Sequence, residues 1–172
     1  MSYKQIVVFI EGNDDERFLN RVVKPELEKK YSVVVPYKYS NKTNKKINSF
    51  LNTIKCLGFS DYIFLIDMDS SPCVSFKKNK LITKKNVETE KIVVVIKEIE
   101  SWYIAGLNES ISQKLGIPSY DNTNNFDKEQ FDKMKPKKFD SRIDFMQEIL
   151  NYFQIKTAKK KNNSFKYFFA KI

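Results

Sequence analysis

Apolar residues in the first part of the chain form four short, continuous runs. Polar or turn-forming residues bound each run. Continuous runs of this length predict strands that are buried on both faces, as in a parallel sheet. The runs are 6–10, 33–35, 62–66 and 92–96.

Segments with helical spacing separate these runs. A helix is expected from about residue 14 to about residue 30, with an interruption at Pro25. Apolar residues at 47, 50, 51 and 54 predict a second helix, which Gly58 is placed to end. Residues 73–91 are rich in lysine and show a weak helical pattern. This alternation predicts an α/β, Rossmann-like fold with a four-stranded, mainly parallel sheet flanked by helices.

The chain beyond Trp102 shows no strand pattern. Residues 141–153 have the apolar spacing of a helix. A last helix is expected at the C-terminus, with Ser164 as its N-cap. The pattern therefore predicts an α/β catalytic domain over residues 1–106 and a helical extension over residues 107–172, packed on it.

Charge adds a candidate partner to this picture. The 172 residues include 31 Lys and Arg against 21 Asp and Glu, a net charge of +10. Such an excess favours a polyanion partner, nucleic acid before membrane, although a lysine-rich surface can also serve only solubility. The basic segments 41–46 and 77–85 are the candidate contacts to a phosphate backbone. The candidate side chains are Lys42, Lys45, Lys46, Lys77 and Lys78.

The absence of histidine narrows the possible chemistry. With no histidine and only two cysteines, histidine-dependent triads, zinc sites and a disulfide framework are excluded. The apolar stretch near the N-terminus is too short for a signal peptide, and no run is long enough to span a membrane. A cytoplasmic location is therefore expected.

Acidic residues follow three of the four predicted strands. Glu11 follows the first strand, Asp67 and Asp69 end the third, and Glu100 comes shortly after the fourth. Asp15 lies one helical turn after Glu11. Because right-handed crossovers bring the carboxyl ends of parallel strands to one edge of the sheet, these acids are expected to lie together there.

A cluster of carboxylates is unfavourable unless a proton or a bound cation relieves the repulsion between the negative charges. Two such charges about 4 Å apart repel by about 4 kcal/mol at an effective dielectric constant of about 20. A bound cation removes this cost, and oxygen ligands without histidine or thiolate favour Mg²⁺, with Mn²⁺ as a substitute. Such an ion commonly acts on phosphate esters. Taken singly, each acid also has an ordinary structural interpretation, such as a helix cap, a turn or an exposed helix start.

The residues "VVFIEG" (7–12) and "FLIDMD" (64–69) resemble the motifs of TOPRIM domains, the metal-binding catalytic modules of topoisomerases, primases and certain nucleases. The stretches "EGNDD" and "EIESWYIAG" resemble the OLD-like nuclease branch and its small stand-alone relatives. The resemblance covers about residues 5–106. It implies Mg²⁺-dependent hydrolysis of a phosphodiester, in DNA.

The resemblance also implies roles for single residues. Glu11, Asp67 and Asp69 would be catalytic, with Glu11 as metal ligand or general base. Asp15 and Glu100 would complete a second metal site with them. The ATPase domain usual in OLD proteins has no counterpart in this sequence, so ATP-driven control would need a separate ATPase partner, as in a defence-type system.

Two alternatives remain open at this stage. Haloacid-dehalogenase-like phosphatases also carry an Asp-x-Asp after a strand, and "DMDSS" resembles that motif, with Asp67 as nucleophile and Asp69 as general acid. That family normally carries its motif on the first strand, whereas here a strand ending in Glu-Gly comes earlier. A non-catalytic nucleic-acid-binding protein is the other alternative.

Overall fold

A four-stranded parallel sheet confirms the predicted α/β fold in the computed structural model, which describes residues 3–172. Residues 1 and 2, where the polar N-terminal stretch begins, lie outside the described residues. The spatial order of the strands is β2-β1-β3-β4. The strands are β1 (Gln5–Ile10), β2 (Val33–Lys38), β3 (Ser60–Asp67) and β4 (Ile92–Val95).

The predicted first helix changes geometry along its length. It begins as α1 (Asn13–Phe18), continues as a π-helical segment (Leu19–Val23) and ends as α2 (Lys24–Leu27). Pro25 lies in the first turn of α2. Because proline lacks an N–H and its ring crowds the preceding turn, a wider turn before it lets the chain continue in the same direction.

Two further helices accompany the sheet, α3 (Asn44–Cys56) and α4 (Val74–Ile82). They share one apolar core with a single face of the sheet, because alternate residues of a strand point to the same side. On that face Phe9 and Phe64, from neighbouring strands, stack with their ring centroids 4.1 Å apart. The buried residues of this core are Val7, Phe9, Tyr39, Ile47, Leu51, Ile54, Tyr62, Phe64, Ile66, Leu81, Val87, Ile92 and Val94.

The chain divides into two compact units, with the boundary in the sequence between Val94 and Val95. The second unit is helical. Its helices are α5 (Glu100–Ala105), α6 (Glu109–Leu115), α7 (Lys128–Met134), α8 (Arg142–Asn151), α9 (Ile155–Lys161) and α10 (Asn163–Lys171). The assignment of residues 1–106 to a catalytic domain stays a prediction. Among residues 3–172, no helix has both the length and the apolar character needed to cross a bilayer.

A buried polar network organises the second unit and corrects one predicted cap. Asn162, not Ser164, caps α10, because its side chain accepts the N–H of Phe165 at 3.0 Å. The hydroxyl of Ser164 instead accepts the indole N–H of Trp102 at 2.8 Å and donates to Asn162 Oδ1 at 2.8 Å. These bonds satisfy polar groups whose burial would otherwise be costly.

Gly106 is a position where a side chain does not fit. A Cβ there would lie 2.2, 2.3 and 2.7 Å from three ring atoms of Phe153. Its backbone angles are ordinary for an L-residue (φ −76°, ψ −4°), so only the close approach of the ring requires glycine.

We expect Gly106→Ala to lower the free energy of unfolding by about 1–3 kcal/mol, the usual cost of overpacking. Urea unfolding followed by circular dichroism measures the change. Gly58→Ala is the matched control, because a Cβ at Gly58 meets nothing within 4 Å. Equal losses in the two variants would contradict the close approach at Gly106.

Candidate functional site

Glu11 and Asp67 meet where two neighbouring strands end. Strands β1 and β3 are paired with Phe9 opposite Phe64, so Glu11 lies level with the end of β3. The backbone N–H of Asp67 donates to Glu11 Oε1 over 3.3 Å. The parallel register therefore brings these two predicted site residues together, as the sequence predicted.

Tyr39, which follows β2, holds the Glu11 carboxylate in place. Its hydroxyl donates to the same oxygen, Glu11 Oε1, at 2.8 Å. The side chain is buried, with 8% of the residue exposed. Sequence analysis did not single out Tyr39, because its contact with Glu11 depends on how β2 is placed beside β1.

The pKa of the Tyr39 hydroxyl depends on its burial and on the carboxylates around it. Burial raises the pKa of the Tyr39 hydroxyl far above its usual value, and the negative charges of Glu11, Asp15 and Asp67 raise it further. The phenol therefore stays protonated at neutral pH and acts as a hydrogen-bond donor. Glu11, Asp15 and Asp67 are therefore all close enough to Tyr39 for their charges to act on its hydroxyl.

Asp15 is fixed by the turn between β1 and α1. Its Oδ2 accepts the backbone N–H of Gly12 at 2.9 Å, and 6% of the residue is exposed. A carboxylate at this position also lies at the positive end of the helix, where negative charge is stabilised.

Asp69, another predicted site residue, forms an ion pair at the protein surface. Its side chain is 54% exposed and binds Lys77 of α4, with Oδ2 and Nζ 2.5 Å apart. The backbone of Asp69 is left-handed (φ 48°), a conformation that aspartate tolerates better than most residues. Asp69 is thus neutralised by a lysine from the following helix.

Glu100 belongs to the second unit, where it begins α5. It is buried, with 3% exposed, so it is not the exposed helix start that the sequence offered as an ordinary interpretation. Its carboxylate forms an ion pair with Arg142 of α8. Arg142 also contacts Asp132, with Nε and Oδ1 2.7 Å apart.

A cleft of about 170 Å³ borders Glu11 and Tyr39. Ile66 and Leu81 supply its apolar wall, and the remaining lining is cationic. The cationic lining residues are Lys77, Lys80, Lys84 and Lys85. Residues 77–82 of the basic segment belong to α4 and residues 83–85 to the turn after it, and together they present lysines to the cleft.

The lysines of the cleft influence one another. Burial lowers the pKa of Lys85 below its usual value, and the charge of Lys84 lowers it further, while the Glu11 carboxylate acts in the opposite direction. The ammonium of Lys85 lies 5.7 Å from the centre of the Tyr39 ring. The cleft therefore combines crowded positive charge with one carboxylate.

The other predicted phosphate contacts lie outside the cleft lining. Lys78 donates to the backbone carbonyl of Thr89 at 3.2 Å. Lys42, Lys45 and Lys46 are exposed around the start of α3, which Thr43 caps. Their contact with nucleic acid stays a prediction.

No group of three or more Asp, Glu, His or Cys side chains within residues 3–172 is arranged to hold a metal ion. Comparisons of the chain with protein-family models, curated proteins and solved structures found no match. The resemblance to TOPRIM domains stays a prediction that rests on the motifs alone.

The protonation of Tyr39 can be tested by alkaline titration. Because the folded protein raises the pKa of Tyr39, this residue should not contribute to the absorbance step of tyrosines near pH 10. Tyr39→Phe should therefore leave the amplitude of that step unchanged at 295 nm, under conditions where circular dichroism shows a folded chain. Loss of one tyrosine's share of the amplitude would contradict the burial of Tyr39 among acidic groups.

Proposed function

We propose that this protein hydrolyses phosphodiester bonds in nucleic acid, DNA being the expected substrate, with Mg²⁺ as cofactor. One observation carries the proposal. The carboxylate of Glu11 accepts the N–H of Asp67 at the carboxyl ends of two neighbouring parallel strands, beside a cleft lined with lysines. Ligand sites of parallel sheets form at such an edge.

The carboxylates of this edge suit a hydrated Mg²⁺. This ion keeps several waters and is commonly bound through one or two carboxylates together with substrate phosphates. Glu11 and Asp67 would hold it, and Asp15 adds negative charge nearby. Such a site needs no preformed group of three protein ligands. When bound, the ion would neutralise charge on the phosphate that reacts.

Two predicted ligands would need to leave other partners to bind a metal. Asp69 is paired with Lys77, and Glu100 is paired with Arg142 in the second unit. The proposal therefore assigns the metal to Glu11 and Asp67 first. A second metal site with Asp15, Asp69 and Glu100 remains a separate prediction from the motif resemblance.

The residues around the carboxyl ends of β1 and β3 have separate roles in the proposed reaction. Tyr39 and the N–H of Asp67 both bond Oε1 of Glu11 and so fix the direction of that carboxylate. Glu11 also lines the cleft, where its carboxylate would hold the metal or, as the alternative role, accept a proton from an attacking water. The lysines of the cleft attract the phosphate and balance its charge.

A nicking assay on supercoiled plasmid with Mg²⁺ or Mn²⁺ tests the proposal. Asp67→Asn and Glu11→Gln should each reduce the rate by about a hundredfold or more, because each removes a carboxylate on which the reaction depends. Glu26→Gln is the matched control, since Glu26 forms only a surface ion pair with Lys29.

Equal nicking by the parent and Asp67→Asn would contradict this function. Release of phosphate from p-nitrophenyl phosphate, with a phosphoryl group trapped on Asp67, would instead indicate the phosphatase alternative. Salt-sensitive DNA binding without cleavage, retained when all five acids are replaced, would indicate a non-catalytic binding protein. Control by a separate ATPase would appear as nicking that increases when the partner and ATP are added.

Metal binding can be measured apart from activity. We expect Mn²⁺ titrated into the parent protein to lose its free-ion electron paramagnetic resonance signal as it binds. Glu11→Gln and Asp67→Asn should weaken this binding by about tenfold or more, because each removes a ligand of a site that has few protein ligands. Glu100→Gln should leave the first ion's affinity unchanged. If Glu100→Gln weakened Mn²⁺ binding while Glu11→Gln and Asp67→Asn did not, the assignment of the first ion to Glu11 and Asp67 would be contradicted.

A further inference from the structure

Helix α4 and the turn that follows it place a row of lysines along the cleft. Lys77, Lys80 and Lys84 follow one another at helical spacing, and Leu81 and Lys85 complete the same side. Leu81 is the buried residue of α4. Lys77 and Lys85 beside it are partly buried, whereas Lys80 and Lys84 are exposed at the mouth of the cleft.

Most of this positive charge has no carboxylate partner. Lys77 is paired with Asp69, whereas no carboxylate within residues 3–172 lies within 4.0 Å of the ammonium groups of Lys80, Lys84 or Lys85. Neighbouring ammonium groups repel one another, and the repulsion is relieved when an anion lies between them. The cleft is therefore suited to an anionic group.

The size of the cleft limits what that group can be. Its volume is about 170 Å³. A water molecule takes about 30 Å³ in the liquid, and pockets for whole small molecules begin at about 300 Å³. The cleft therefore accommodates a phosphate with part of its sugar but not a complete nucleotide, and the rest of a longer ligand must lie outside it.

An exposed aromatic ring lies beside the row of lysines. Phe76 precedes Lys80 by one helical turn, which places the two on adjoining surface of α4. The residue is 52% exposed, so its ring is accessible from solvent. Exposed aromatic rings next to a cationic groove are the surface on which single-stranded nucleic acids stack their bases.

We propose that α4 and the turn after it bind single-stranded nucleic acid, with one phosphate in the cleft among Lys80, Lys84 and Lys85 and an adjacent base stacked on Phe76. That the ligand is a nucleic acid rests on the proposed function. That it is single-stranded rests on the exposed ring of Phe76 beside the lysine-lined cleft. A duplex keeps its bases stacked inside, so it cannot offer one to Phe76 without unpairing.

Fluorescence anisotropy with a labelled oligothymidylate of about 12 nucleotides tests this proposal. EDTA is present, so hydrolysis does not interfere. The parent should bind this strand at least tenfold more tightly than a duplex of equal length. Phe76→Ala should weaken binding roughly 5- to 150-fold, the range of one lost base stack, and Phe76→Tyr should restore most of it. Phe59→Ala removes another exposed ring, on a residue that is 44% exposed, and should have little effect.

The lysines are tested by the dependence of binding on salt. The double variant Lys80→Gln/Lys84→Gln should reduce the slope of log affinity against log salt by about 0.7, because the proposal places one phosphate among these lysines and each phosphate contact on a single strand contributes about 0.7. The control Lys156→Gln/Lys160→Gln removes the same charge from α9 and should leave the slope unchanged.

Equal losses in the two double variants, or unchanged binding in Phe76→Ala, would overturn the proposal. Equal affinity for the duplex would overturn its single-stranded part. Competition by inorganic phosphate at the concentration of the strand would show a small-ion site instead. Strand binding without any plasmid nicking would contradict the proposed function alone, so the two failures are distinguishable.

Discussion

The pairing of β1 with a parallel strand on each side is the constraint on which the first unit depends. Its residues Ile6–Ile10 are at most 3% exposed, so the strand is covered on both faces as well as paired along both edges. A one-residue shift would reverse every side chain between the two faces. The same register decides which residues follow the strand ends, and Glu11 and Asp67 become neighbours because this register places Glu11 beside the end of β3.

Polar side chains at the carboxyl ends of the strands are buried. Their removal from water is unfavourable, and hydrogen bonds offset that cost. Tyr39 is buried yet donates to Glu11, and Asp15 is buried yet accepts from the backbone of Gly12. Removing one partner of such a pair leaves the other without compensation, which costs more than the pair itself contributes. The arrangement is consequently rigid on the side of the strands, while the lysines of α4 lie on long, flexible side chains opposite.

Much of the fold could be predicted because a strand buried on both faces must be apolar throughout, and all four such runs became strands. The convergence of Glu11 with Asp67 followed from the same geometry.

The choice of ion-pair partners could not be predicted, since Asp69 with Lys77 and Glu100 with Arg142 depend on how helices are placed. Asn162 replaced Ser164 as a cap because the Ser164 hydroxyl serves the indole of Trp102. Helix α4 gave only a weak pattern because Leu81 is its one buried residue.

The buried position of Trp102 has an optical consequence. It is the single tryptophan of the chain, fully buried in the second unit, with its indole N–H bonded to Ser164. Intrinsic emission excited at the red edge of the absorption band therefore reports the packing of the helical unit, whereas the carboxylate edge and the lysine cleft are observed only through tyrosine. Because tyrosines occur in both units and the tryptophan in one, Trp102 emission allows the unfolding of the helical unit to be followed by itself without any added label.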